Sequence, residues 1–166
     1  MPRFLIRLPA ATLALLTLLG TSAVLSMANA ADCRSVRGAL EETQVTEGCV
    51  SPVGLCTVAR LIGQVKGQAR FTAATITPTA DFATTGVVFV SGDTTIVDAR
   101  LGNKRGTVAI KNAAAFRTMG DGDLSDTQVI VGGTGDFTGV TGSLRVSGTF
   151  VAGSGVSNFE GTVCFP

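Results

Sequence analysis

Apolar and polar residues alternate along the chain from Ala59 to Ala73. The odd positions carry small or apolar side chains, among them Leu61, Val65 and Phe71, and the even positions are polar apart from Ile62. A period of two is typical of a β-strand with one buried face and one solvent face. We therefore predict one long, half-buried strand here, whose glycines permit it to bend.

The same alternation recurs along the rest of the chain after residue 30, and no stretch there shows a convincing 3.6-residue period. Val87 to Val97 predicts a hairpin with a three-residue turn at Ser91-Gly92-Asp93, and Gly102 to Gly106 predicts the next turn. The remaining predicted strands are 35–45, 107–110, 113–118, 127–131, 143–150 and 159–163.

Frequent short strands separated by turns predict an antiparallel all-β domain with little or no helix. A closed barrel is favoured over a sandwich because closure leaves no unpaired strand edge. A β-solenoid is disfavoured because the sequence has no repeat of fixed period.

The first thirty residues follow a different pattern. Arg3 and Arg7 precede an apolar run of seventeen residues, 8–24, and Ala28-Asn29-Ala30 follows it. A basic start, a short apolar run and a small-x-small site are the features of a signal peptide, and a membrane span needs about 20 apolar residues. We predict a signal peptide at 1–30, cleavage before Ala31, and a single domain at 31–166 that is secreted or periplasmic and not held in a membrane.

All four cysteines fall in the predicted domain. An even number of cysteines in an exported domain predicts two disulfides, for which three connectivities are possible. Cys49 and Cys56 bracket a short turn-rich loop, whereas Cys33 and Cys164 lie near ends that are expected to be close in space. We predict the pairs Cys49–Cys56 and Cys33–Cys164.

Composition argues against several other classes of function. The chain has no histidine and no C-x-x-C pair, so neither a metal site nor a cofactor is predicted. Residues 31–166 contain eleven basic and twelve acidic side chains, a net charge of −1, without a basic cluster and without Trp or Tyr. Nucleic acid is therefore not predicted as a partner.

A glycine-rich motif, Gly-Gly-Thr-Gly-Asp-Phe-Thr-Gly-Val-Thr-Gly, occupies 132–142. Its spacing is not that of a dinucleotide loop, it lacks the Gly-Lys-Ser/Thr of a phosphate loop, and a strand pattern follows where a helix would be needed. We predict a structural connection between strands, with glycines at positive φ and Phe137 plugging one end of the core. The glycines concerned are Gly132, Gly133, Gly135, Gly139 and Gly142.

This motif, with 129–131 before it and 144–146 after it, resembles the late strand pair of the allene oxide cyclase and dirigent-like barrels, in a bacterial-type secreted form. The resemblance extends over most of 31–166 and implies an eight-stranded antiparallel barrel with an apolar central cavity. Thr138 and Thr141 stand where dirigent proteins carry ligand-contacting arginines, and Thr138 also replaces an acidic residue of the cyclases. No catalytic residue is carried over.

Acidic residues offer a possible calcium loop. Asp121, Asp123 and Ser125 have the spacing of its first three ligands, but Gly132 stands where the bidentate Glu is required. We predict that 120–126, including Asp126, is a solvated acidic turn.

Two other charged pairs are close in sequence. Asp98 and Arg100 are two residues apart and are interpreted as an exposed contact worth less than about 1 kcal/mol. Glu41 and Glu42 are adjacent, so on a strand they point to opposite faces and cannot act as a carboxylate pair.

The sequence therefore assigns no catalytic or ligand-binding residue, since a histidine base is absent and no other constellation replaces it. The favoured function is a non-enzymatic exported barrel that binds a small apolar molecule or a partner. One alternative is an isomerase or cyclase that acts by confining an apolar substrate, and another is a structural envelope or matrix protein. An open pocket of roughly 300 Å³ or more with a few inward polar groups favours the first two, and a filled barrel favours the third.

Overall fold

A computed structural model of the protein describes residues 32–166. The predicted signal peptide, residues 1–30, and its cleavage site before Ala31 lie outside this range. The elements are β1 (Asp32–Val45), β2 (Cys56–Gly63), β3 (Val65–Pro78), α1 (Phe82–Thr85), β4 (Val87–Leu101), β5 (Lys104–Arg117), β6 (Asp123–Gly135), β7 (Thr141–Val151) and β8 (Ser154–Phe165).

The eight strands form a closed antiparallel barrel in which each strand pairs with its neighbours in sequence. β8 returns to β1, and the two pair from Asp32 opposite Phe165 to Thr43 opposite Ser154. The fold class predicted from the sequence is confirmed. In residues 32–166, the structure has no helix with the length and apolar character to cross a membrane.

The long strand predicted from Ala59 to Ala73 is wrong in one respect, because the chain reverses at Gln64 and the segment is divided between β2 and β3. Ala59 lies opposite Ala69, so odd residues of both strands face the same side of the sheet. The alternation of apolar and polar residues therefore continues through the turn without a break. Inward and outward faces are as predicted, with Leu61 and Val65 buried and Arg70 exposed.

The hairpin predicted at Ser91-Gly92-Asp93 is also wrong, since β4 is one continuous strand through this segment. Gly92 faces the barrel interior, where a Cβ atom would collide with the backbone carbonyl oxygen of Thr72 and lie 2.6 Å from Cε2 of Phe71. Glycine is present because this backbone oxygen and the aromatic ring leave no room for a side chain. The turn predicted at Gly102 to Gly106 is shorter than expected, because β5 already begins at Lys104.

The two ends of the barrel are referred to below as the mouth and the base. The mouth is where the β1–β2, β3–β4, β5–β6 and β7–β8 connections lie, and the base holds the other connections together with Asp32 and Pro166. The interior contains two apolar clusters. The larger one is at the base and includes Val36, Ile110, Phe137, Phe159 and Phe165. The smaller one is near the mouth and consists of Ala73, Val88 and Val90, with Phe71, Phe82 and Phe116 packed against them.

Two disulfides are present and have the predicted connectivity. Cys33 and Cys164 lie directly opposite each other in the β1–β8 pairing, with their Cα atoms 3.9 Å apart. Cys49 and Cys56 close the loop between β1 and β2 at the mouth. Disulfides persist in oxidising compartments, so this chemistry agrees with an extracellular or periplasmic protein.

Candidate functional site

A cavity of about 110 Å³ lies inside the barrel, between the base cluster and the mouth cluster. Seven of the eight strands contribute to its wall. Most of the lining is apolar, and three phenylalanines belong to it: Phe71, Phe116 and Phe150. Six polar side chains also face it: Glu42, Thr57, Thr94, Asn112, Asp126 and Gln128.

The register of β5 and β6 explains why three of these polar groups meet. Asn112 lies opposite Gln128, and Ala114 lies opposite Asp126, so even-numbered residues of both strands point inward. Successive inward positions on a strand are two residues apart and lie on one face. The amide and carboxylate groups are thereby brought together on the cavity wall.

Asp126 is at the centre of this group. Its Oδ2 accepts a hydrogen bond from Nδ2 of Asn112 at 2.7 Å and another from Nε2 of Gln128 at 2.8 Å. Asp126 and Asn112 are only 8% and 9% exposed, and Oδ1 of each has no hydrogen-bond partner. Buried polar atoms in proteins are almost always paired, so two unpaired oxygens on neighbouring side chains need an explanation.

Glu42 supplies a second carboxylate, from β1. It accepts a hydrogen bond from the Thr57 hydroxyl of β2. Burial raises the pKa of Glu42, the Thr57 hydrogen bond opposes this, and the negative charge of Asp126 raises the pKa further. The adjacent Glu41 points outward, where its carboxylate pairs with Arg60 at 2.8 Å. Opposite faces for the two glutamates were expected from the sequence, and one of those faces is the cavity wall.

Aromatic rings form the mouth side of the wall. Phe116 and Phe150 pack edge to face, with ring centroids 5.8 Å apart and planes at 79°. Such a contact adds about 0.5–1.5 kcal/mol to the burial of the two rings. No Lys or Arg is among the cavity-lining residues of the described chain, so the two carboxylates have no basic counterpart there.

The glycine-rich motif is at the base and does not contribute to this cavity. Phe137 is 1% exposed and packs on Phe165, with centroids 5.7 Å apart. The turn is tied to the β4–β5 connection, because the amide of Arg105 donates to the carboxylate of Asp136 at 2.9 Å, and the amide of Asp136 donates to the Arg105 carbonyl at 2.9 Å. Positive φ angles occur at Gly132, Gly135, Gly139 and Gly142, whereas Gly133 is closely surrounded by Thr107 and Phe137.

The solvated acidic turn predicted for 120–126 is correct for Asp121 and Asp123, which are exposed, and wrong for Asp126. β6 begins at Asp123, earlier than predicted, so Asp126 is already an inward position of a strand. The sequence did carry a signal for this: Asp126 alternates in step with the apolar Leu124 and Ile130, so on a strand all three lie on the inward face, together with Gln128. Asp98 and Arg100 are both exposed, on the outside of the barrel.

The cavity is smaller than the roughly 300 Å³ expected of an ordinary ligand pocket. It is nevertheless an unfilled space, and the filled barrel expected of a purely structural protein is not observed. Larger depressions exist on the outer wall, among them a groove of about 620 Å³ beside Arg37, Arg145 and Glu160. We consider the inner cavity the better candidate site, because among the described residues only there are carboxylate and amide oxygens removed from water without partners.

Within residues 32–166, no group of three or more His, Cys, Asp or Glu side chains is arranged to hold a metal ion. Comparison of the chain with known protein families, with curated proteins and with solved structures finds no significant match.

Proposed function

We propose that this protein is a binding protein whose barrel cavity takes up one small molecule with an apolar body and a polar end. The observation that carries the proposal is the pair of buried, unpaired oxygens, Oδ1 of Asn112 and Oδ1 of Asp126, in a mostly apolar wall. A buried polar atom without a partner costs about 1–3 kcal/mol. A ligand that supplies hydrogen-bond donors to these oxygens removes that cost.

The size of the cavity limits the ligand. An apolar cavity of about 150 Å³ holds a benzene molecule, so a cavity of about 110 Å³ limits the apolar body to one ring at most. The phenylalanines beside the cavity supply apolar contacts for such a body, and the polar end is then held by the side chains of β5 and β6.

Titration of the purified protein with benzyl alcohol, followed by NMR chemical-shift changes, tests the proposal. We expect saturable shifts that are lost in Ala114→Phe, because Ala114 lines the cavity and a larger side chain fills it. Ala113→Leu is the matched control, since Ala113 is the neighbouring residue of β5 and faces outward. Equal binding to both variants would place the site elsewhere and contradict the proposal.

The two disulfides support action in an oxidising compartment. We propose that the ligand is bound outside the cytoplasm, after export directed by residues 1–30. Sequencing the N-terminus of the exported protein tests this: a start at Ala31 agrees with the proposal, and a start at Met1 contradicts it.

An isomerase that acts by confinement is the second candidate function, favoured by the raised pKa of Glu42 in the cavity. A carboxyl group that keeps its proton to higher pH can act as a general acid toward a substrate oxygen. Styrene oxide, a single-ring epoxide, is a suitable probe, because protonation of its oxygen promotes isomerisation to phenylacetaldehyde. Conversion that is lost in Glu42→Gln and kept in Glu41→Gln supports the enzyme, and conversion no faster than in buffer excludes it for this substrate class.

A further inference from the structure

We infer that the molecule bound in the cavity is an organic cation, a small amine whose ammonium group sits among Glu42, Asn112 and Asp126. This inference rests on the proposed binding function and specifies the chemistry of the ligand. Four independent features of the described residues support it.

The first feature is hydrogen bonding. A carboxylate only accepts, so the amide nitrogen of Asn112 must face Asp126, and the amide oxygen faces away. The unpaired atoms, Oδ1 of Asn112 and Oδ1 of Asp126, are both acceptors. An ammonium group carries three donors and no acceptor, which matches this set of atoms, whereas a carboxylate ligand would add further acceptors.

The second feature is charge. Glu42 and Asp126 reach the cavity from strands β1 and β6, and none of the described residues that line the cavity is Lys or Arg. Buried charges in proteins are normally paired, because an isolated charge loses its hydration without compensation. The raised pKa of Glu42, caused by burial and by Asp126, is what the absence of a counter-ion produces. A ligand cation would supply the missing positive charge.

The third feature is the aromatic wall formed by Phe71, Phe116 and Phe150. The face of a phenyl ring attracts cations, with about 0.5–1 kcal/mol at exposed sites and about 2 kcal/mol or more when the cation is desolvated. A wall that combines rings with carboxylates favours an organic cation over a neutral or anionic molecule of the same size.

The fourth feature is the charge of the mouth. The four connections there are 46–55, 79–86, 118–122 and 152–153, and they contain Glu47, Asp81 and Asp121 but no basic residue. Arg117, which adjoins the third connection, is paired with Asp123 at 3.3 Å. Acidic groups around an opening attract cations to it and repel anions. The approach to the cavity therefore favours cations, as its interior does.

Four single-ring probes that differ in their end group test the inference: benzylammonium, benzyl alcohol, benzoate and toluene, each titrated at pH 7 by NMR or calorimetry. We expect benzylammonium to bind at least tenfold more tightly than benzyl alcohol, and benzoate to show no binding. If benzyl alcohol or toluene binds as tightly as benzylammonium, the inference is wrong and the proposed function stands. If no probe binds, the proposed function itself is wrong.

Variants that remove the charge of one carboxylate test whether Glu42 and Asp126 hold the ammonium group. Asp126→Asn and Glu42→Gln should each lower the ratio of benzylammonium affinity to benzyl alcohol affinity about tenfold, which a general loss of folding would not do, because unfolding weakens both ligands alike. Glu41→Gln is the matched control, since Glu41 adjoins Glu42 on β1 but pairs with Arg60 outside the barrel. Two variants are included so that one remains informative if the other fails to fold, as judged by its thermal melt. An unchanged preference for benzylammonium in both variants would overturn the inference.

Discussion

Phe137 shows how a single side chain can close one end of the barrel. It is the largest of the almost fully buried side chains, at 1% exposure, and it packs on Phe165 at the base. We expect Phe137→Ala to lower the free energy of unfolding by about 3–5 kcal/mol in urea melts, because a buried ring is replaced by a void. Phe89→Ala is the control, since Phe89 is 57% exposed on the outer wall. The proposed benzyl alcohol binding should survive in Phe137→Ala, and its loss together with an unchanged melt would make the glycine-rich turn the binding loop.

Glu42 should make the free energy of unfolding fall as the pH rises, which is the opposite of the effect of a carboxyl group whose pKa is lowered by folding. An unfolded chain ionises this group near its ordinary pKa of 4.5, whereas the folded protein holds the pKa above that value. Between the two values the folded state retains a proton that the unfolded state has lost, so the free energy of unfolding falls as the pH rises through this window. Glu42→Gln removes this loss, and its stability relative to the wild type should therefore increase as the pH is raised through the window.

Urea melts of wild type, Glu42→Gln and Glu41→Gln at several pH values from 4 upward measure this effect. Glu41→Gln should follow the wild-type profile, because Glu41 lies outside the barrel in an exposed ion pair. A Glu42→Gln profile parallel to that of the wild type would show that Glu42 ionises as it does in the unfolded chain.

The candidate site could be predicted from the sequence only in part. The alternation puts Glu42 on the other face of its strand from Glu41, and it puts Asp126 on the same face as Leu124 and Ile130. The face on which each residue lies could therefore be predicted. Which residues of different strands meet depends on register, and register is set by turns that the sequence pattern located imprecisely. The contact of Asn112 with Asp126, fourteen residues apart, could therefore not be derived.

At the scale of elements, the two errors in strand assignment have different causes. At Gln64 a turn was missed, because odd residues face the same side of the sheet before and after it, so the alternation shows no break. At Gly92 a turn was predicted where the strand continues, because glycine there leaves room for the Thr72 carbonyl and for Phe71. Alternation identified the inward faces correctly in both segments, because the burial of one face determines which positions are apolar. The ends of strands depend on local packing instead.

Gly92 provides a test of this explanation. Gly92→Ala introduces a Cβ atom that overlaps the carbonyl oxygen of Thr72 and lies 2.6 Å from the ring of Phe71, so the backbone of β3 or β4 must move. Overpacking of this kind costs about 1–3 kcal/mol. Ser91→Ala, at an outward position of the same strand, loses only an exposed hydrogen bond to the Thr75 hydroxyl and should lower the urea midpoint much less. If Gly92→Ala is as stable as the wild type, the close contacts with Thr72 and Phe71 do not explain the glycine.

For the molecule as a whole, the frequency of strands predicted an antiparallel barrel, and the number eight came from the family resemblance. What composition could not reveal is that the apolar interior is divided into two clusters with a cavity between them. Total apolar content does not distinguish a filled barrel from one with a void, because the void depends on where the small inward residues lie. Ala59 and Ala69 are opposite each other on β2 and β3, and Ala114 lines the cavity from β5.

The two disulfides should differ in their contribution to global stability. Cys33–Cys164 joins residues 131 positions apart, and the chain-entropy treatment assigns about 5 kcal/mol to such a loop. Cys49–Cys56 spans 7 positions and is assigned about 2–3 kcal/mol. Non-reducing urea melts of the double variants Cys33→Ser/Cys164→Ser and Cys49→Ser/Cys56→Ser measure the two losses. A larger loss from the small loop would contradict this order.

The pairing of β1 with β8 also determines where the protein can be attached to a surface, labelled or fused to another domain. Asp32 lies opposite Phe165 at the base, whereas the cavity is displaced toward the mouth. A surface, dye or fusion partner attached at residue 166 therefore stands at the far end of the barrel from the cavity and leaves the mouth unobstructed. Because residues 32 and 165 are neighbours, a short peptide could also join them while the chain is reopened between β7 and β8. Such a circular permutant would carry its new ends beside the cavity, where a reporter domain would sense occupancy directly.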